Sequence, residues 1–378
     1  MKSFRVTPLA VAACALWLAT SAFADAPKPV QPENGADVDL RPEVQRRYKT
    51  PEERNWDLEY RPGALKEKND QDLSQPTPVE FKWSPSSVEG GEYKLQISSS
   101  ANFDVDFREV VAGTATTATA TNFDVDKTYY WRVKCEAKTG ENEYAVCYSD
   151  VFSFHTAAYL PRWYDLPNLS NVRDAGGWKT ADGKKRVKMG MVYRGGEFDQ
   201  RSSLTDETKK YLLETMGIRV DLDLRGPSEW NDVEGYYSPL GKEVDWQNFR
   251  IGGYDGIFND HNKQLFRDMF KMLSKRESYP VYIHCLAGAD RTGTTLVALK
   301  SVLGVGDGDL CADYEFTSFS KYGERRIGGG AFVKMRQCLE EYGAGAPISV
   351  QFTNYLKSAG VTEEELQSIR DILLEDVE

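Results

Sequence analysis

At Thr156 the periodicity of the chain changes, and this change limits the possible fold more than any other feature of the sequence. Between Pro76 and Thr156, apolar and polar residues alternate in short runs at Val79 to Trp83, Tyr93 to Ile97, Tyr129 to Val133 and Val151 to Phe154, separated by turn residues. A period of two puts one face of each run against a core, so this stretch predicts an all-β sandwich. Beyond Thr156, strand-like segments at Lys188 to Arg194, Ile218 to Leu224 and Val281 to His284 alternate with amphipathic segments at Asp206 to Glu214, Asn262 to Lys275, Thr292 to Leu303 and Glu363 to Leu374. Such alternation predicts a largely parallel sheet flanked by helices. The chain therefore reads as multidomain, with a β module followed by an α/β domain.

Residues 25–75 are rich in Pro, Asn, Asp, Glu and Lys and read as a linker with one strand around Val38 to Leu40. Residues 1–24 join a short positive end (Lys2, Arg5) to an apolar run from Leu9 to Leu18 and finish in Ala22-Phe23-Ala24. This pattern predicts a cleaved signal peptide in preference to an anchor, and thus a periplasmic or secreted protein. Val11-Ala12-Ala13-Cys14 also resembles a lipobox, and only lipidation at Cys14 would bring the membrane in as a partner. The full chain carries 47 Lys and Arg against 58 Asp and Glu, a formal net charge of -11. That balance speaks against nucleic acid as a partner, because phosphate-neutralising proteins present a basic face.

The six cysteines are too few for a disulfide scaffold. Cys135 and Cys147 flank a turn at Thr139 to Asn142 and would lie nearly opposite each other in a hairpin. That placement fits a cross-strand disulfide as well as it fits two small buried hydrophobes. Cys311 and Cys338 lie in helix-like segments as passive thiols. His155 and His261 have no partners at ligand spacing, so no metal site is expected. Gly328-Gly329-Gly330 lacks the flanks of a nucleotide-binding loop and reads as a connector.

The chemistry concentrates in Val281-Tyr282-Ile283-His284-Cys285-Leu286-Ala287-Gly288-Ala289-Asp290-Arg291-Thr292-Gly293. An apolar run after Pro280 reads as a buried strand and Thr292 onward as a helix start, so Cys285 to Arg291 form a strand-to-helix loop. Amides in such a loop, together with the positive helix end, suit a phosphate and favour a thiolate at Cys285. Arg291 offers a planar fork for two phosphoryl oxygens, Thr292 a hydroxyl for the sulfur, and Gly288 and Gly293 close backbone approach.

This conjunction resembles the cysteine-dependent protein tyrosine phosphatase superfamily, with its H-C-x5-R-[ST] signature, and more closely the bacterial tyrosine phosphatases with H-C-x-x-G-x-D-R-T-G. Asn171 to Gly177, Val192 to Gly196 and Asp223 to Glu229 are similar to three further segments of that family. The β module resembles a fibronectin type III domain, with Trp83 and the strand Thr128 to Val133 at its expected core and tyrosine-corner positions.

The chain thus divides into a signal peptide at 1–24 and a linker at 25–75, followed, as the resemblance implies, by a fibronectin type III-like sandwich at 76–157 and an α/β protein tyrosine phosphatase-like domain with a central, mostly parallel sheet at 158–378. It implies Cys285 as nucleophile, Arg291 as phosphate clamp, His284 as orienting residue and Thr292 as an aid to phosphocysteine hydrolysis. Leu286, Ala287, Gly288 and Ala289 would supply the substrate-binding loop. The general acid is Asp255, between Gly253 and Gly256, or Asp290, with Asp255 slightly favoured. Arg173, Arg194 and Arg225 either contact substrate or support the loop. No cofactor is implied. The substrate would be a phosphorylated protein, chiefly on tyrosine with dual specificity as an extension, or a small phosphomonoester. An inositol phosphate substrate is a rival, which Ala289 weakens by standing where phosphoinositide-hydrolysing members carry Lys. The second rival is an adhesion protein with an inert phosphatase domain, whose β module binds a protein or glycan.

Overall fold

The computed structural model describes residues 25–46, 48, 71–138, 144–199, 202–229 and 236–377. The segment expected to be a signal peptide, with Cys14, and the turn expected at 139–142 lie outside the described residues. The chain falls into two compact units, bounded as Met1–Ala36, Glu80–Ala118 and Tyr129–Phe154 for the first and Asp37–Val79, Thr119–Thr128 and His155–Glu378 for the second.

The β module is built from β1 (Lys28–Gln31), β2 (Ala36–Val38), β3 (Val79–Ser84), β4 (Glu92–Ser98), β5 (Arg108–Gly113), β6 (Thr117–Ala120), β7 (Thr128–Lys138), β8 (Tyr144–Tyr148) and β9 (Phe152–Thr156). They form sheets of order β1-β3-β6 and β2-β9-β7-β4-β5, with β8 paired to β7. Alternation is clearest in β7, where Tyr129, Trp131, Val133, Cys135 and Ala137 are buried between more exposed neighbours. Phe81 meets Trp131 edge to face at 5.1 Å and Trp83 meets Tyr93 at 5.9 Å, so rings fill the core. Cys135 and Cys147 are direct partners in the β7–β8 ladder, both with free thiols.

The linker expected at 25–75 is corrected wherever that segment is described. β1 pairs antiparallel with β3, and a strand forms at Ala36–Val38 in place of Val38 to Leu40. A short helix, α1 (Glu43–Arg46), follows, and Leu40, Val44 and Ser74 are buried. Edge pairing satisfies backbone groups without an apolar run, which is why a Pro-rich, polar segment could hide a strand. The boundary expected at 158 also shifts, since residues 37–79 belong to the second unit.

The second unit contains β10 (Arg173–Asp174), β11 (Lys185–Val187), β12 (Val192–Gly195), β13 (Val220–Asp223), β14 (Asp245–Asn248), β15 (Val281–His284) and β16 (Leu374–Asp376). Its main sheet has the order β10-β12-β15-β13-β14. The four strands from β12 to β14 run parallel and β10 antiparallel at the edge, which makes the sheet mostly parallel as expected. β11 pairs with β16 in a separate ladder. The helices are α2 (Asp206–Lys210), α3 (Asp260–Leu273), α4 (Asp290–Val302), α5 (Asp307–Phe316), α6 (Gly330–Leu339), α7 (Ile348–Ser358) and α8 (Glu363–Leu373). The helix expected over Asp206 to Glu214 widens into a π turn at Tyr211–Thr215. Gly330, expected in a connector, is the first residue of α6. α4 follows the central strand β15 and is buried from Thr292 to Val302, so its sequence shows little amphipathic contrast.

Candidate active site

The loop between β15 and α4 holds Cys285, Leu286, Ala287, Gly288, Ala289, Asp290 and Arg291 together, with His284 and Thr292 on its flanks. Its shape follows from Gly288, which sits at φ +62 with the Gly195 carbonyl oxygen 2.0 Å from where a Cβ would stand. Only glycine meets both conditions.

Four consecutive carbonyls of the loop are satisfied from behind. Protonated His284 Nδ1 lies 3.3 Å from the Cys285 oxygen, and the Glu197 amide donates to the Leu286 oxygen at 3.3 Å. Asn171 Nδ2 donates to the Ala287 and Gly288 oxygens, both at 3.1 Å, and Arg194 Nη2 reaches the Gly288 oxygen at 2.6 Å. With its carbonyls turned outward, the loop offers its N–H groups to the concave side, the arrangement that holds an oxyanion.

Cys285 is buried. Burial pushes its thiol up, but the charge of Arg291 and hydrogen bonds from the Thr292 hydroxyl and the Thr292 and Ala289 amides outweigh it and hold the thiol below its ordinary value. The buried Thr292 hydroxyl lies close enough to help hold the sulfur down but makes no hydrogen bond of full geometry among the described residues. Arg291 is gripped by Glu229, with Nη1 to Oε2 at 2.5 Å and Nη2 to Oε1 at 2.7 Å, and also bonds the Leu224 oxygen at 3.2 Å. Glu229 lies in the Asp223 to Glu229 segment, but nothing in the sequence marked it as the holder of Arg291. His284 Nε2 sits 2.8 Å from Asp221 Oδ1. Burial alone would depress His284, but the charges of Asp223 and Asp221 and the Asp221 bond raise it to about 9, so the ring is cationic at neutral pH.

The three arginines that stood between substrate contact and support are supports. Arg173 and Arg194 are fully buried against Asp313, at 3.1 and 3.3 Å, and Lys300 joins them 2.9 Å from the same carboxylate. Burial, and Arg194 beside it, bring Arg173 down to about 9, and burial brings Lys300 down to about 8. Arg225 is held by Asp223 and Asp199. The Asp313 hub escaped sequence reading because two of its three partners, Arg173 and Arg194, lie more than a hundred positions away on β10 and β12.

The two candidate acids differ in their surroundings. Asp290 stands on the loop and accepts from Arg325 Nε at 2.7 Å, from Arg325 Nη2 at 3.0 Å and from the Tyr254 hydroxyl, which lies 2.7 Å from the Tyr314 hydroxyl. Burial raises Asp290, but the Arg325 and Tyr254 bonds and the nearby Arg291 prevail and keep it below the ordinary carboxylate range. Asp255 sits in a short 3-10 turn, Tyr254–Phe258, and pairs with Lys334 of α6 at 2.6 Å. That turn borders the loop, because a Cβ on Gly253 would stand 3.3 Å from the Arg291 nitrogen.

Residues 164–375, more than half of the chain, match the sequence profile of the tyrosine phosphatase family. A Cupriavidus necator protein provisionally named a tyrosine-protein phosphatase is 27% identical over 187 residues, 42% of this chain and 64% of that protein. A Nostoc commune tyrosine-protein phosphatase is 25% identical over 205 residues, 44% of this chain and 69% of that one. The chain thus spans about two thirds of the length of these relatives. Among solved structures, the core catalytic domain of the PP-IP phosphatase SIW14 from S. cerevisiae aligns with a TM-score of 0.26 and 16% identity, covering 39% of this chain and 77% of that one.

Proposed function

Because the chain belongs to the tyrosine phosphatase family, we propose that it hydrolyses phosphate monoesters, phosphotyrosine foremost, through a phosphocysteine formed on Cys285. The observation that carries this reading is the loop itself: outward carbonyls behind a thiol that Arg291, Thr292 and two amides hold down. The Cys285 sulfur attacks phosphorus in line and the bond to the leaving oxygen breaks. The loop amides and Arg291 hold the equatorial oxygens through the transition state. Water then attacks the phosphocysteine, gives a proton to the acid's carboxylate and releases phosphate with return of the thiolate.

We assign the leaving-group proton to Asp290, reversing the preference for Asp255. Asp290 stands on the loop beside Arg291, whereas Lys334 engages Asp255. Arg325 and Tyr254 hold Asp290 as a carboxylate, so its action as an acid requires Arg325 to let go. We further propose export through the signal peptide at 1–24, which mature-protein sequencing beginning at Asp25 would support. The fibronectin type III-like reading of the β module rests on Trp83 and the strand Thr128 to Val133. A protein or glycan ligand for it fits the exposed Tyr144, Val146 and Tyr148 on β8.

A substrate panel with variants tests the enzyme reading. Cys285→Ser should lower phosphate release from a phosphotyrosine peptide by about 10⁴-fold or more. Asp290→Asn should cost about 10²-fold with that peptide and less with p-nitrophenyl phosphate, whose leaving group needs little protonation, while Asp255→Asn stays near wild type. The opposite ranking of the two aspartates would make Asp255 the acid. Faster turnover of an inositol phosphate than of the peptide would displace phosphotyrosine as the substrate.

A further inference from the structure

Residues 71–75 lie well before the family match at 164–375, yet they reach the back of the phosphate-binding loop. Ser74 is fully buried. Its Oγ accepts from the Asn171 amide at 2.9 Å and donates to Asp72 Oδ1 at 2.6 Å, while the Ser74 amide donates to the same carboxylate oxygen at 3.0 Å. The neighbouring Leu73 amide donates to the Phe319 oxygen at 2.8 Å, and the Leu73 oxygen accepts from Gln45 Nε2. The strap is thereby fastened at two consecutive residues, Leu73 and Ser74, with Asp72 bracing the second from within.

Its contact with Asn171 matters because of what Asn171 does. This residue is buried at φ +64, a left-handed conformation that asparagine tolerates better than most residues. Its side chain donates to the Ala287 and Gly288 oxygens and accepts from Arg173, so its backbone must be fixed for the side chain to point correctly. The Ser74 hydroxyl supplies that fixing bond, and without it a buried amide would lose its partner.

We propose that Ser74, oriented by Asp72, is a positioning residue of the active site, acting through Asn171 to hold the Ala287 and Gly288 carbonyls outward and so keep the N–H groups across the same peptide bonds, those of Gly288 and Ala289, ready for an oxyanion. The inference rests on the phosphatase reading, since it concerns the same loop. It makes the segment before the β module part of the catalytic apparatus, so the family region alone is an incomplete site.

Vanadate binding to the full chain by calorimetry tests this separately from turnover. Wild type should bind, Ser74→Ala should bind about tenfold more weakly, and Ser74→Thr, which keeps the hydroxyl, should recover most of the loss. Asp72→Asn, at a partly exposed position, should weaken binding about threefold and serves if Ser74→Ala does not fold. In each variant kcat for p-nitrophenyl phosphate should fall along with vanadate affinity, whereas a role in stability alone would lower the melting temperature and leave both unchanged. Equal vanadate affinity in folded Ser74→Ala, or in Asp72→Asn, overturns the inference and leaves the phosphatase reading standing. Absence of vanadate binding in wild type overturns both.

Discussion

Cys135 of the β module and Cys285 of the second unit are nearly equally shut off from solvent, 1% and 2% exposed, but their thiols move in opposite directions. Burial, the neighbouring Cys147 and a bond to it push Cys135 up to about 11, against a weaker pull from Ser86. Around Cys285 the same burial is overcome by Arg291 and by hydrogen bonds to the sulfur. Exclusion from solvent alone therefore does not fix reactivity. What decides is whether the surroundings supply donors and cations, and the turn into α4 supplies both whereas a β ladder already spends its amides on the partner strand.

The largest break in this contrast should come from Arg291→Lys. Lysine keeps the charge but cannot match the two oxygens of Glu229 or of a phosphate, so kcat/KM for p-nitrophenyl phosphate should fall about 10²- to 10³-fold. In Arg291→Met, which removes the charge as well, the pH midpoint for alkylation of Cys285 should rise toward that of an ordinary thiol, and an unchanged midpoint would show that the Thr292 and Ala289 bonds suffice without the cation.

A smaller effect follows from His284, whose folded pKa of about 9 lies above its unfolded value near 6.5. The stability its charge contributes is whole below about pH 6.5 and is lost as pH rises through about 9. For this fully buried ring the total is on the order of 3 kcal/mol. Thermal melting of the catalytic unit should drop between pH 7 and 10, and His284→Asn should flatten that drop. A wild-type melting temperature constant across the range would mean that Asp221 and Asp223 do not hold the proton.

The smallest effect lies on the other side of the comparison. Cys135 and Cys147 share one rung of the β7–β8 ladder, and mild oxidation should join them, removing two titratable thiols and stabilising the β module by roughly 2 kcal/mol. Alkylation of Cys285 should be unaffected. Two thiols still titratable after oxidation would show that the rung is too constrained to close.

Much of this was legible in the sequence wherever the determinants were contiguous. β15, the loop and the start of α4 lie within thirteen successive residues, so the candidate nucleophile and its clamp could be named before any fold was known. The β module was readable for a similar reason, because period-two runs report a half-buried strand locally. What stayed hidden depends on contacts between distant positions. Glu229, Asn171, Asp313 and Ser74 are ordinary polar residues until folding sets them behind the loop. β14, with the sequence Asp-Trp-Gln-Asn, lacks an apolar run because it closes the sheet edge. The first strand was masked by prolines that an edge tolerates. The acid could not be chosen from spacing, because Arg325, Tyr254 and Lys334 distinguish the two aspartates only in three dimensions.

The Asp313 hub bears on how the molecule behaves in salt. The chain as a whole repels anions, with a formal charge of -11, yet Arg173, Arg194 and Lys300 beneath the loop share a single carboxylate and none of them is exposed beyond 2%. Counterions collect over surface charge within a Debye length but do not enter a packed core, so this positive excess is shielded weakly at any ionic strength the fold survives. Salt can therefore weaken the long-range repulsion of an approaching phosphate while leaving the pull of these buried charges almost untouched, so moderate salt of a weakly bound anion such as chloride should quicken encounter.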